Sequence, residues 1–168
     1  MKNFKPCQIE SLNQVNKNVS FVLWSKVGGG KLNHIMQNFP ESKFNVLCIR
    51  MSQFSKHDVA PIPVLQKDGS VSQVLPDVLQ SLQNAHADDS KPLVLIFDEL
   101  SSATETSTEA LYEAVELRKF CGLQLKDTDV VLVTGMLDSD GNAVCDNVPD
   151  LLMRRLAHYR IDFSPVTA

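Results

Sequence analysis

Ser20-Phe21-Val22-Leu23-Trp24-Ser25-Lys26-Val27-Gly28-Gly29-Gly30-Lys31-Leu32 is the stretch on which the fold turns. Its first five residues form a short run rich in β-branched and aromatic side chains that stops at a glycine-rich segment, the pattern of a buried strand. Beyond the glycines, Leu32, Ile35, Met36 and Phe39 recur at helical spacing until Pro40 ends the pattern. The stretch therefore predicts strand, glycine loop, helix.

Further along the chain the same alternation repeats. Phe44-Asn45-Val46-Leu47-Cys48-Ile49 predicts a second strand after a short polar turn. Two extended pieces across residues 61–76 flank Asp68-Gly69, a dipeptide that favours a tight turn, and predict a hairpin insertion. Residues 77–83 suggest one or two helical turns and the polar residues 84–92 a loop. Leu93-Val94-Leu95-Ile96-Phe97 is the most apolar run, as a parallel strand covered on both faces requires, and Asp98-Glu99 follows it. Ala110, Leu111, Ala114 and Val115 predict an amphipathic helix, with Thr106 and Glu109 as its capping box. Val130-Val131-Leu132-Val133-Thr134 predicts another buried strand, Pro149 a short helix and Tyr159-Arg160-Ile161 a last strand. The fold class expected is an α/β three-layer sandwich with a mostly parallel sheet, its ligand crevice at the carboxyl ends of the strands.

A chain of 168 residues with 43% apolar content suits one domain with one sizeable core. The net charge of -4 arises from interspersed acids and bases, so no broad basic surface supports nucleic-acid binding. Cys7, Cys48, Cys121 and Cys145 lie far apart without metal-ligand spacing, and Cys48 sits in an apolar run where a thiol packs as a small hydrophobe. No segment approaches the roughly 20 apolar residues of a membrane span, so no membrane association is expected and the chain reads as cytoplasmic. His34, His57, His86 and His158 are scattered, and no Ser/His/Asp or Cys/His set stands out.

A glycine loop between strand and helix presents backbone N–H groups at the positive end of the helix dipole, where phosphate oxygens bind. Gly28, Gly29, Gly30, Lys31 and Leu32 occupy that place. The Walker A pattern asks for Gly, four residues, Gly, Lys and then Ser or Thr, because Lys reaches the β- and γ-phosphates and the hydroxyl ligates Mg²⁺. Gly30 and Lys31 match it, whereas Ser25 replaces the first glycine and Leu32 the hydroxyl residue. An apolar strand ending in Asp98-Glu99 has the Walker B form, in which the first acid holds Mg²⁺ and the second orients the attacking water. Trp24, directly before the glycine loop, reads as a core residue near the ligand.

Residues 93–103, Leu93-Val94-Leu95-Ile96-Phe97-Asp98-Glu99-Leu100-Ser101-Ser102-Ala103, resemble the Walker B strand and small-residue turn of the AAA+ ATPases, in particular the MoxR-like branch. Arg50-Met51-Ser52-Gln53 with Asp58 and Pro61-Ile62-Pro63 is similar to the segment after that family's second strand. Leu111-Tyr112 through Arg118, then Gly122, is similar to its helix and turn after Walker B. Pro149-Asp150-Leu151-Leu152-Met153-Arg154-Arg155-Leu156-Ala157-His158 looks like its arginine-finger stretch, with Arg155 on the finger position. The resemblance runs over residues 20–161. It implies a P-loop NTPase-like sheet of order 5-1-4-3-2 and a single nucleotide-binding core over residues 1–168, with too few residues left for the family's C-terminal lid domain.

The resemblance further implies ATP and Mg²⁺ as cofactors, Asp98 towards the metal, Glu99 towards water, and Arg155 serving a neighbouring subunit in a homo- or hetero-oligomer of AAA+ subunits acting on a client protein. Met136 stands where the family carries a polar water-holding residue, and a thioether donates no hydrogen bond; Thr134 and Asp138 are the polar residues nearby. Loss of the Leu32-position hydroxyl and of the Met136-position polar group each removes a contact commonly worth about 3–4 kcal/mol in the transition state. The expectation is an ATP-binding remodelling subunit with weak hydrolysis, or alternatively a catalytically inactive pseudo-ATPase acting as a scaffold, since binding by the loop N–H groups suffers less than turnover.

Overall fold

In the computed structural model, which describes residues 6–28 and 30–162, the chain runs through β1 (Cys7–Ile9), β2 (Phe21–Ser25), α1 (Lys31–Asn38), β3 (Asn45–Arg50), β4 (Ile62–Leu65), β5 (Val71–Val74) and α2 (Asp77–Ala87). It continues through β6 (Leu93–Asp98), α3 (Glu105–Glu116), β7 (Lys119–Phe120), β8 (Leu123–Gln124), β9 (Val130–Leu137), β10 (Ala143–Val144), α4 (Asp150–Met153) and β11 (Ala157–Ile161). The main sheet has the order β1-β11-β2-β9-β6-β3 with every neighbouring pair parallel, and β10 adds an antiparallel pairing to β9. Numbered along the chain, the five principal strands β2, β3, β6, β9 and β11 lie in the order 5-1-4-3-2, as expected. The fold is a three-layer α/β/α sandwich around a mostly parallel sheet, of the P-loop-like or Rossmann-like kind. No helix among the described residues is long and apolar enough to cross a membrane.

The layers follow from strands that are apolar on both faces. Along β2, Val22 and Trp24 point into a cluster with Leu95, Phe97, Val131 and Val133, and this cluster is closed by Leu82 of α2 and Leu111 and Ala114 of α3. Phe21 and Leu23 point the other way, joining Val94, Ile96 and Leu132 under Ile35 and Phe39 from α1 and its end. Full burial of such a side chain contributes about 1.5–3 kcal/mol, so neither face can be left uncovered and helices are required on both. Buried Asp129 ties off the amino-terminal end of the sheet: its carboxylate accepts from Leu93 N and Lys126 N, each at 2.8 Å.

Two-sided burial removes the polar-apolar alternation that usually sets register. Between β2 and β9 a size match supplies it instead. Trp24, fully buried, pairs with Gly135, and a Cβ added at Gly135 would lie 2.3 Å from the indole. A slip by one residue would set Trp24 against Thr134 or Met136, and neither leaves that space.

Several elements differ from expectation. Helix α2 extends to Ala87 where a loop was predicted from residue 84, because Asn84 and His86 are polar on a helix whose Ala85 still packs on the core. The capping box of α3 is Thr104 with Ser107, two residues before the predicted pair: Ser107 N donates to Thr104 Oγ1 at 3.2 Å and Thr104 N to Ser107 Oγ at 2.9 Å. Cys48 is exposed, since β3 is the sheet's edge strand and its apolar run is covered incompletely. The predicted hairpin is present as β4 and β5, its turn carried by Gly69 at φ 83° and by Asp68, whose carboxylate accepts from Ser70 N at 3.0 Å.

Gly135→Ala is expected to lower stability by about 1–3 kcal/mol, the usual cost of forcing an atom into a packed core. Urea denaturation checks this; an unchanged midpoint would show that Trp24 does not depend on that gap.

Candidate functional site

The glycine loop leaves β2 at Ser25, whose side chain is buried, and turns through exposed Lys26 and Val27. Gly28 and Gly30 adopt φ of 77° and 62°, the left-handed region open to glycine at no steric cost, and nothing lies within 4 Å of where a Cβ would stand on either. Their requirement is thus for backbone shape rather than for space. Gly30 is the N-cap of α1 and makes no side-chain cap, which leaves the first-turn N–H groups of that helix without a side-chain acceptor. Gly29 lies outside the described residues.

Across from the loop, β6 ends at Asp98, and Glu99 begins a turn over Leu100–Ser102. A crevice of about 380 Å³ lies between them, lined by Gly28, Gly30, Lys31, Leu32, Asp98, Glu99 and Met136 among others. The structure thus brings together the described loop residues and both acids. Lys31 is partly buried there, and desolvation holds its pKa below the usual lysine value, with Asp98 and Glu99 opposing that shift. The lysine therefore shares the crevice with both carboxylates. Asn33, Ser101 and Ser102 also line the crevice. Sequence reasoning assigned these three no site role; for Ser101 and Ser102 the only signal was their place in the small-residue turn after Glu99.

Thr134 organises the acidic side. Its hydroxyl, fully buried, donates to Asp98 Oδ1 at 2.6 Å and accepts from Glu99 N at 2.9 Å. Glu99 has φ 65° and ψ 63°, a left-handed conformation costing a non-glycine residue about 1–2 kcal/mol. One well-formed hydrogen bond contributes about 0.5–1.5 kcal/mol, enough to offset much of that strain. The Thr134 proton is thereby committed to Asp98. The Asp138 carboxylate is engaged inside the β9–β10 turn, where its Oδ1 accepts from Asp140 N and Asn142 N, at 2.9 and 2.7 Å.

Arg155 lies elsewhere. It is absent from the crevice lining, and its guanidinium pairs with Glu116 at the end of α3 at 3.0 Å. Arg154 beside it is exposed. Behind the glycine loop, Trp24 Nε1 donates to His158 Nδ1 at 3.0 Å, and His158 Nε2 lies 2.8 Å from Met153 O. An acceptor at Nδ1 and a donor at Nε2 define a neutral imidazole. Burial lowers its pKa below 6.5, with the contact to the Met153 carbonyl opposing.

Mg²⁺ bound with a nucleotide takes one or two carboxylates, the rest of its shell coming from phosphates and water. Asp98 meets that requirement, since Thr134 provides its one side-chain hydrogen bond among the described residues and occupies Oδ1. Leu32 offers no oxygen. Among the described residues, no group of three or more His, Cys, Asp or Glu side chains gathers into a metal-binding set.

No protein-family model matches the chain, and no curated protein matches it. Among solved structures, NtrX from Brucella abortus superposes with a TM-score of 0.52 at 12% sequence identity, over 88% of this chain and 33% of that one. This chain thus spans about a third of the length of the NtrX chain. The likeness shows a shared fold. It also corrects the sequence-based assignment to the MoxR-like branch of the AAA+ ATPases, because no family model supports that membership and the structural likeness found leads to NtrX. The physical reason is that a glycine loop after a buried strand and two acids after another belong to the sheet architecture itself, so they do not separate one family on it from the next.

Protonation of His158 would break its acceptance from Trp24, and the folded state resists it. An unfolded chain binds that proton below about pH 6.5, so this histidine contributes stability that is full above that pH and is lost as pH falls through the lower folded value. The drop in melting temperature between pH 7.5 and 5.5 is expected to be smaller in His158→Gln than in the unaltered chain; equal drops would sink this account.

Proposed function

We propose that the crevice binds the phosphates of a nucleoside triphosphate, ATP in the first instance, together with Mg²⁺. One observation carries this: Gly28, Gly30, Lys31, Asp98 and Glu99, which come from two separated stretches of chain, line a single crevice at the carboxyl ends of the parallel strands β2 and β6, which flank β9. There the first-turn N–H groups of α1 and the Lys31 ammonium meet phosphate oxygens, and Asp98 takes the metal. Bound Mg²⁺ would neutralise charge on the phosphates. Glu99, exposed at the rim, orients the water. Arg155, outside the crevice, serves a neighbouring subunit's nucleotide, either a second copy or a homologous chain. The free thiols of Cys7, Cys48 and Cys121 favour the cytoplasm as the compartment.

A second reading rests on Leu32 and Met136, both of which line the crevice where oxygen- or nitrogen-bearing side chains would help turnover. On that reading the chain binds nucleotide without hydrolysing it and acts as a scaffold. The energetics favour binding over turnover in either case: the backbone N–H groups and Lys31 remain, whereas two contacts to the metal and the water, each commonly about 3–4 kcal/mol, are missing.

Calorimetric titration with ATP, with and without Mg²⁺, read alongside phosphate release, checks the proposal. Binding is expected in the unaltered chain, and Lys31→Ala should weaken it about tenfold or more, the value of a hydrogen bond to a charged group. Glu99→Gln should bind ATP and release no phosphate. Slow Mg²⁺-dependent release supports an enzyme, binding without release supports the scaffold, and no binding at millimolar ATP removes both.

A further inference from the structure

The two acids at the end of β6 do not hold themselves in place. Asp98 ends the strand in extended backbone, but Glu99 turns into the left-handed region and makes no side-chain cap for the turn that follows. Glu99 is also exposed, so core packing does not restrain its side chain. The carbonyls of Asp98 and Glu99 accept from Met51 N and Ser102 N at 3.0 and 2.9 Å, but the Asp98 carboxylate and the Glu99 N–H are both held by one atom of the neighbouring strand β9. Thr134 Oγ1 receives Glu99 N–H at 2.9 Å and gives its proton to Asp98 Oδ1 at 2.6 Å.

The chemistry of that atom allows little freedom. A hydroxyl has one proton, and the Glu99 amide can only donate, so the Thr134 proton must go to the carboxylate. Thr134 is β-branched, with few χ1 choices, and is fully buried in β9, whose neighbours β2 and β6 hold it from both sides. Serine would keep the hydroxyl while loosening its rotamer. Valine would keep the shape and remove both hydrogen bonds.

We propose that Thr134 is the positioning residue of the site: through one hydroxyl it aims Asp98 at the metal and locks the backbone of Glu99, so that Mg²⁺ coordination and water orientation depend on β9. It acts through the two acids, to which both of its hydroxyl hydrogen bonds go. This rests on the nucleotide-binding reading given above. It also assigns the β9 hydroxyl a role different from contacting the attacking water, for which its proton is already spent.

The test is the ratio of ATP affinity with Mg²⁺ to that without it, measured by calorimetry on the full chain for the unaltered protein, Thr134→Val and Thr134→Ser, with the Glu99 amide followed by hydrogen exchange in the same proteins. Thr134→Val is expected to lower the ratio about tenfold and to expose the Glu99 amide to exchange, and Thr134→Ser to restore most of both. A ratio in Thr134→Val equal to that of the unaltered chain overturns the positioning role and leaves nucleotide binding standing. A Thr134→Ser that behaves as Thr134→Val also overturns it, since shape rather than the hydroxyl would then decide. No ATP binding by the unaltered protein removes the nucleotide reading, and the role assigned to Thr134 with it.

Discussion

The central strands β2, β6 and β9 are buried on both faces, and the placement of everything else follows from that. Val22, Trp24, Leu95, Phe97 and Val133 cannot be exposed on one side, nor Phe21, Leu23, Val94, Ile96 and Leu132 on the other, without losing the apolar burial that holds the domain together. Helices must therefore cover both faces, and the chain must cross from one strand to its parallel neighbour through them. Polar groups are excluded from the middle of the sheet and collect at its ends. At the amino-terminal end Asp129 satisfies the backbone of Leu93 and Lys126. At the carboxyl end lie the glycine loop, Asp98 and Glu99.

Charge at that end is partly offset within the crevice. Lys31 shares it with Asp98 and Glu99, whose attraction works against the desolvation that disfavours its charge. One cation thus stands with two carboxylates beside the start of α1, where the Gly30 N-cap supplies no side-chain hydrogen bond. The aromatic support behind the loop is apolar and tightly matched: Trp24 fills the space that Gly135 leaves, and its one polar atom is satisfied by His158. Strand β2 is thus held against both neighbours, β9 through the indole's face and β11 through its N–H. The loop it carries departs from a rigid base.

Much of the architecture was readable because burial leaves a mark on composition. The uninterrupted apolar runs of β2, β6 and β9 announce strands covered on both sides, and the helical spacing from Leu32 to Phe39 announces α1. Elements whose pairing rests on backbone alone left no such mark: β1, β7, β8 and β10 are two or three residues long, too short for any periodicity. The end of α2 was missed for a related reason, since Asn84 and His86 are polar and only Ala85 touches the core. The α3 cap was misplaced because Thr106 and Glu109 fit the pattern as well as Thr104 and Ser107 do. Family and branch were read from motifs that the architecture shares widely, and no family model supports that assignment.

By itself the sequence determined the five principal strands, the strand–loop–helix unit at Gly28 and Gly30, and the acids that end β6, because each of these is written in contiguous residues whose period or chemistry is local. Only the tertiary structure decided what those residues face. That Lys31 shares the crevice with both carboxylates, that Leu32 and Met136 line it, and that Arg155 turns away to Glu116 depends on which strands are neighbours. The hydroxyl of Thr134 is the sharpest case. Thirty-six positions separate it from Asp98 along the chain, and the parallel pairing of β6 with β9 brings the two within a hydrogen bond. A contact made across strands has no signature in either strand alone.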